Sequence, residues 1–182
     1  MKRTSPTSDG PIMKHTKQDS GASANESAQY LTFMLGGEAF GIGIMAVKEI
    51  IEFSGITEVP MMPESIRGVI NLRGAVVPVM DLAARFGRPL AVPGKRTCIV
   101  IVELEADGER QVTGVVVDAV SAVLDIALAE IEPAPSFGTR IRGDFIGGMA
   151  KVNGKFVILL NVAHVLALDG LSALADSEAQ AA

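Results

Sequence analysis

The chain has 182 residues, 48% hydrophobic and 20% charged, a composition for one compact domain or two small ones that need no disulfide or metal staple. Its formal net charge of −5 argues against nucleic acid as the main partner, because phosphate binding needs a concentrated basic surface. The longest apolar runs, such as 98–102 and 115–117, fall far short of the ~18 residues of a membrane span, and Lys2 and Arg3 precede no apolar stretch of the secretory kind, so a soluble cytoplasmic protein with no direct membrane insertion is expected.

Residues 1–28 are rich in Ser, Thr, Gly, Asn, Asp and Lys without an apolar period, and read as a disordered leader. Order is expected from 30–35, a strand that turns at Gly36-Gly37-Glu38 into a returning strand over 39–44. Val59-Pro60-Met61-Met62-Pro63 reads as a loop or strand edge, since proline cannot donate to a sheet ladder. Arg73-Gly74 occupies a hairpin turn, and 76–80 is a strand. Asp81 then caps a short helix over 82–86, its side chain accepting a free first-turn N–H, and Gly87 stops that helix. The plan begins again with a β-branched run over 97–105, the turn signal Asp107-Gly108 and a return over 111–117. Glu132-Pro133-Ala134-Pro135 is the second proline-bearing connection, and Asn153-Gly154 marks another hairpin. A strand over 157–160 leads through the cap Asn161 into a helix over 162–168. That helix can continue through 171–174 unless Asp169-Gly170 breaks it, and the tail from about 176 frays. The single Cys98 reads as a small buried hydrophobe, and one cysteine cannot make an internal bridge, which fits a reducing compartment.

Taken in order, these elements occur twice. Residues 41–52 align with 114–125, and 68–82 align with 148–162, with glycines and apolar positions recurring. Two units follow, about 30–90 and 96–168. Many short strands punctuated by Gly and Pro predict an all-β protein of two small β-barrels side by side, without the long helices of alternating βαβ units. The repeat also separates what the fold needs from what one copy adds. Glu49 aligns with Ala122, Lys48 with Ser121, Arg73 with Asn153 and Arg67 with Gly147. These one-sided charges are candidates for a partner surface. The competing explanation is an ordinary surface salt bridge, which is worth only ~0–1 kcal/mol and so demands little of the sequence. Gly68, Gly74, Gly114, Gly148 and Gly154 recur or sit in both copies' turns, which favours tight turns and close packing.

Chemistry finds little footing. Gly41-Ile42-Gly43-Ile44-Met45-Ala46 matches the dinucleotide fingerprint, but a β-branched segment follows where a helix must aim its N-terminus at a pyrophosphate, and the second copy has Val116 in place of Gly43. The two histidines are His15 in the leader and His164 in the last helix, and no His/Cys/Asp/Glu cluster has metal-ligand spacing. No carboxylate pair is assignable to acid–base work. A protein that is not an enzyme, with no cofactor and no metal, is expected.

Several linked stretches carry a family likeness: Phe40-Gly-Ile-Gly-Ile44, Val47-Lys-Glu-Ile50, Val59-Pro60 with Pro63, Ile66-Arg-Gly-Val-Ile-Asn-Leu-Arg-Gly74, Val77-Pro-Val-Met-Asp-Leu82, Gly114-Val-Val-Val-Asp118 and Ile131-Glu-Pro-Ala-Pro135. With these the chain resembles the CheW family of chemotaxis coupling proteins, over 29–168, followed by a helix end and tail over 169–182. The resemblance implies two five-stranded barrels of the Src-homology-3-like kind around a shared core. It implies a non-catalytic adaptor linking the cytoplasmic tips of chemoreceptors to the regulatory domain of the histidine kinase CheA, recruited to membrane-associated arrays. The family's receptor-coupling positions match Glu49 and Arg73, with Val47 and Gly68 beside them. Ile50 and Asn71 complete the expected receptor-binding set, an apolar patch around Val47 and Ile50 rimmed by Glu49 and Arg73. Kinase contact is expected through the barrel ends. Other readings are the same module in a larger signalling protein, a scaffold in a non-flagellar array, and a nucleotide-binding enzyme using 41–46. The chain stops just beyond the module, which favours a stand-alone adaptor.

Overall fold

The computed structural model describes residues 26–134 and 141–167, so the leader before 26, Pro135 and the expected helix extension past 167 lie outside it. Eleven strands are present in that range: β1 Ser27–Leu35, β2 Glu38–Gly43, β3 Val47–Glu52, β4 Ile66–Leu72, β5 Ala75–Asp81, β6 Cys98–Ala106, β7 Glu109–Val117, β8 Ala119–Ala127, β9 Ile131–Glu132, β10 Ile146–Val152 and β11 Lys155–Leu160. Two single-turn helices, α1 Leu82–Arg85 and α2 Val162–Val165, follow β5 and β11. β1 starts inside the stretch read as leader, because Ser27 and Ala28 pair through their backbone with Ala127 and Ile126, an order that side-chain hydrophobicity does not signal.

Local signals hold where the chemistry is local. Asp81 Oδ1 accepts from Ala84 N at 3.1 Å, and Asn161 Oδ1 accepts from His164 N at 3.3 Å. Arg73-Gly74, Asp107-Gly108 and Asn153-Gly154 each place two successive residues at positive φ, the geometry whose twist matches the flanking strands of a two-residue hairpin. The fingerprint-like glycines Gly41 and Gly43 belong to β2, and the chain passes through one 3-10 turn, Ile44–Ala46, directly into β3. That path has no helix to hold a pyrophosphate.

The strands form two sheets, one of six strands in the order β8-β1-β2-β11-β10-β9 and one of five in the order β3-β6-β7-β5-β4. The contiguous units 30–90 and 96–168 are therefore not the two sheets. Each unit gives its opening hairpin to the other: β1-β2 joins the second unit's strands and β6-β7 joins the first's. The exchange is made by parallel pairings, Val157–Leu159 along Ala39–Gly41 and Val79–Asp81 along Gly114–Val116. Internal similarity is blind to this, because exchanged and unexchanged hairpins carry the same faces and the same turns. Each sheet curls back on itself. Thr57 and Val69 exchange two backbone hydrogen bonds of 2.8 Å, and at the equivalent place in the other sheet β9 pairs with β10.

The exchange explains the continuous apolar runs. In β6, Ile99 and Ile101 fill the interior of the five-stranded barrel with Ile70, Val77, Val79 and Val116. Val100 and Val102 face the other way, into a core shared between the sheets with Leu31, Phe33, Phe40, Val115 and Val117. A strand buried on both faces loses the alternation of a half-exposed one. Ile126, Ala150, Val157 and Leu159 fill the other barrel. Gly41 and Gly114 sit at the parallel pairings, where a Cβ would come within 2.9 Å of Leu159 and 2.7 Å of Ile99 respectively. Their recurrence is a packing requirement. Phe33, Phe40, Phe86 and Phe145 form a ladder with successive centroids 5.9, 5.5 and 5.9 Å apart, tying the end of α1 and the 3-10 turn before β10 into the shared core.

Candidate functional site

β3 supplies Glu49 and the β4–β5 turn supplies Arg73. Arg73 donates from Nη1 to Glu49 Oε2 at 2.6 Å and from Nη2 to Oε1 at 3.2 Å, a two-pronged pair across the end of the five-stranded barrel. Glu49 lies in the same inward row of β3 as Ile51, which packs in the barrel interior. Hydrogen bonds from Arg73 hold the Glu49 carboxyl below the usual carboxylate range, against a smaller opposing effect of burial. Arg73 in turn is raised above its already high value, first by the hydrogen bonds to Glu49. The guanidinium remains 71% exposed while Glu49 is 23% exposed, so the positive end of the pair is the part offered outward.

The turn that presents Arg73 is an unfavourable place for it. Arg73 has φ +52, a left-handed conformation that costs an ordinary L-residue roughly 1–2 kcal/mol and that Asn tolerates best among non-glycine residues. The second copy has Asn153 there, at φ +51. Asn71 steadies the turn, its Oδ1 accepting from Gly74 N at 2.9 Å. The ion pair and this Asx-type bond hold an arginine where local preference would not put one.

The six expected site residues do not form one surface. Glu49, Asn71 and Arg73 meet at the barrel end. Ile50 is 44% exposed, but the alternation along β3 places it with Lys48 and Glu52 on the outward row, the opposite face from Glu49. Val47 is half-buried against the shared core, so no exposed apolar patch joins it to Ile50. Gly68 is buried at φ +147, and a Cβ on it would stand 2.1 Å from the Thr57 carbonyl oxygen. It supports the site from beneath by letting the chain after β3 close onto β4.

The other one-sided charges divide. Lys48 reaches Glu103 at 3.9 Å, and Arg110 reaches the same carboxylate at 3.5 Å, an ordinary surface network. Arg67 turns inward: its Nε donates to the fully buried Asp81 at 2.9 Å, its Nη2 to the Ala91 carbonyl, and its guanidinium lies 5.5 Å over the Phe53 ring. It is a structural residue, and Asp81 is both helix cap and its counter-ion. Lys48 and Arg67 also occupy β-bulges whose counterparts in the second copy, Ser121 and Gly147, are bulged as well.

Three exposed apolar side chains near these elements were not singled out: Met45 at 95%, Val76 at 45% and Met61 at 100%, the last at φ +64 in the proline loop. Val76 pairs directly with Asn71 across β4–β5. Met45 aligns with Asp118, so the repeat held a signal for it, visible only when apolar residues opposite charges are sought as well as the reverse. His164 is engaged by its ring Nδ1, 2.9 Å from the Asp144 carbonyl oxygen. Among the described residues no group of three or more His, Cys, Asp or Glu side chains could hold a metal ion, and no helix is long and apolar enough to cross a membrane.

Two curled sheets that share a core and exchange their opening hairpins, with an outward ion pair at the end of one of them, define the class of the fold. The match to the family described as CheW-like domain spans residues 29–169, and the chain belongs to the CheW family of chemotaxis scaffolding proteins, which are non-catalytic. It is 33% identical to the chemotaxis protein CheW of Klebsiella aerogenes over 152 residues, covering 84% of this chain and 89% of that one. It is also 33% identical to the chemotaxis protein CheW of Rhizobium meliloti, over 78% of this chain and 88% of that one. Among solved structures, the scaffolding protein TtCheW of Thermoanaerobacter tengcongensis superposes with a TM-score of 0.71 at 35% identity, over 86% of this chain and 96% of that one.

Proposed function

We propose that this chain couples the cytoplasmic tips of chemoreceptors to the regulatory domain of the histidine kinase CheA, acting in the cytoplasm at receptor arrays and contributing no chemistry of its own. The observation that carries the reading is the Glu49–Arg73 pair: it exists in one copy of the repeat only, and its arginine occupies a left-handed turn position that the other copy gives to Asn153. Nothing in the fold asks for it, since the same turn is built without it. Glu49, Asn71 and Arg73 form the face for the receptor tip, with Val47 and Gly68 shaping the barrel end behind them and Ile50 on the adjoining outward row. The kinase contacts the barrel ends. Individual contacts of about micromolar strength suffice where an array multiplies them.

The test is calorimetric titration of the full chain with a receptor-tip fragment and separately with a CheA regulatory domain, alongside Arg73→Glu. Binding of both by the native chain, with only receptor binding lost in the variant, is the expected result. Undiminished receptor binding and kinase stimulation by a folded Arg73→Glu protein would remove Arg73 from the receptor face.

A further inference from the structure

A second surface feature lies apart from the barrel end. The β1–β2 turn, α1 and the segment joining the two units enclose an open pocket of about 500 Å³, and neither Glu49 nor Arg73 lines it. Polar contacts fix its wall. At Ala91 the joining segment is held by both backbone groups: its N donates to Asp81 Oδ2 at 3.0 Å, and its carbonyl accepts from Arg67 Nη2. Arg88 is tied to Glu38 at 3.2 Å. On the other side Asp118 Oδ2 accepts from Gly36 N at 2.8 Å. A tight turn over 94–97 completes the wall, with Thr97 N donating to Gly94 O at 3.3 Å and Gly94 N donating to Thr97 Oγ1 at 2.7 Å.

Lys95 and Arg96 occupy the two central positions of that turn. Both are exposed, and neither has an ion-pair partner among the described residues. Asp118 is the one acidic side chain among the described residues that line the pocket, and it is already engaged. The contacts that build the wall therefore leave these two cations unneutralised. Ala91 and Val92 line the same recess, Val92 being 87% exposed, and the neighbouring Leu90 is 49% exposed. On a chain of net charge −5, cations beside exposed apolar side chains reverse the average character of the surface.

We propose that this recess docks an acidic segment of a partner protein, with an apolar side chain against Ala91 and Val92 and flanking carboxylates on Lys95 and Arg96. Charge complementarity selects the occupant, because unneutralised cations attract carboxylates and repel a basic segment. The exposed Val92 adds a preference for an apolar residue between those carboxylates, which an inorganic anion cannot satisfy. A volume of this size suits a few side chains of an extended segment, as it would suit a small ligand. A wall already held in place loses little freedom when the segment arrives, so more of the contact energy appears as affinity. The surface is separate from the Glu49–Arg73 face, so the two readings stand or fall independently.

A fluorescein-labelled peptide of two leucines set among glutamates is the probe, titrated into the full chain by fluorescence anisotropy. Binding should weaken about tenfold in Lys95→Glu/Arg96→Glu, whose side chains are exposed and whose fold should be unchanged. A peptide with serines in place of the leucines should bind more weakly to the native chain. Val92→Ser, which leaves the charges in place, should weaken the leucine peptide and not the serine peptide. Amide NMR shifts on binding should fall at Gly36 and within 88–97 and spare Arg73. Equal affinity of the native chain and Lys95→Glu/Arg96→Glu overturns the proposal. Equal affinity for the leucine and serine peptides does so too, reducing the contact to an unspecific polyanion effect. Full displacement of the peptide by equimolar inorganic phosphate would replace it with a small-anion site. Tighter binding to phosphatidylserine vesicles, lost in the same variant, would replace it with a lipid surface.

Discussion

At two equivalent places in the repeat the first unit carries an ion pair and the second does not. At one, Glu49 and Arg73 meet across the barrel end, while the second unit has Ala122 and Asn153. At the other, Arg67 and buried Asp81 join β4 to the start of α1, while the second unit has Gly147 and Asn161. The backbone is equivalent at both places: Asp81 N donates to Ser65 O as Asn161 N donates to Phe145 O. Yet the pairs serve different ends. Arg67–Asp81 faces inward and also satisfies Ala91 N, so it fixes the segment between the units. Glu49–Arg73 faces outward and fixes nothing but itself. Charge confined to one copy therefore marks specialisation, and only the direction of the side chain tells stability from recognition.

Breaking the inward pair should have the largest effect. Asp81→Ala removes the helix cap and leaves Arg67, whose side chain is only 19% exposed, without its counter-ion. Stranding a mostly buried charge costs about 3–5 kcal/mol. The equivalent Asn161→Ala removes a cap alone and should cost about 1 kcal/mol. Urea denaturation of the two variants measures the difference. Replacing both partners by the second unit's residues, Arg67→Gly with Asp81→Asn, should be milder than Asp81→Ala, because no charge is then left unpaired.

The glycines sharpen the same comparison one step down. A Cβ at Gly68 meets the Thr57 backbone at 2.1 Å in a left-handed conformation, while one at Gly148 meets the Ile131 side chain at 2.6 Å. Backbone cannot move aside as a methyl group can. Gly68→Ala should cost about 2–4 kcal/mol and Gly148→Ala about 1–2 kcal/mol, read from thermal or urea unfolding. A receptor-binding loss in Gly68→Ala that tracks unfolding would mark Gly68 as support for the face, while loss of binding at unchanged stability would make it part of the face.

Exchanging the turn residues separates stability from binding most cleanly. Arg73→Asn relieves the left-handed strain and removes a solvent-screened ion pair, two small effects that oppose each other, so stability should change little while receptor binding falls. Asn153→Arg should cost about 1 kcal/mol and leave receptor binding as it was. Equal binding losses in the two variants would deny any special role to the first unit's turn.

What could be read from the sequence follows from what kind of physics each feature obeys. The caps Asp81 and Asn161, the three hairpin turns and the glycines at close contacts are set by a few neighbouring residues, and they stand where composition and spacing put them. The exchange of hairpins between the sheets is a long-range choice between two pairings of near-identical strands, and no local signal separates them. At the site, the repeat flagged Glu49, Arg73, Lys48 and Arg67 alike as one-sided charges. It could not say that Arg67 turns inward, because that depends on Asp81 arriving from β5. Nor could it place Ile50, since a bulge at Lys48 sets which side of β3 each residue faces. The family resemblance rests on linked motifs over nearly all the ordered chain and carried the fold; the roles of single residues needed the geometry.

The smallest effect is also the most local. Glu49 has a carboxyl held below its ordinary value by Arg73, so whatever the pair contributes is present above the unfolded value, about 4.3 for a glutamate, and is lost as pH falls through the lower folded value. The ion pair is therefore lost only in acid below the ordinary glutamate range, and it stays intact at neutral pH. Carbon-detected NMR titration of the Glu49 carboxyl should show a midpoint below the ordinary glutamate value of about 4.3, returning to that range in Arg73→Asn. Salt should raise the midpoint too, since the pair is exposed and screened. If Glu49 in the native chain titrates at the ordinary glutamate value, the two-pronged pair is not the dominant state in solution, and Arg73 stands free to meet a carboxylate on the receptor instead of its own.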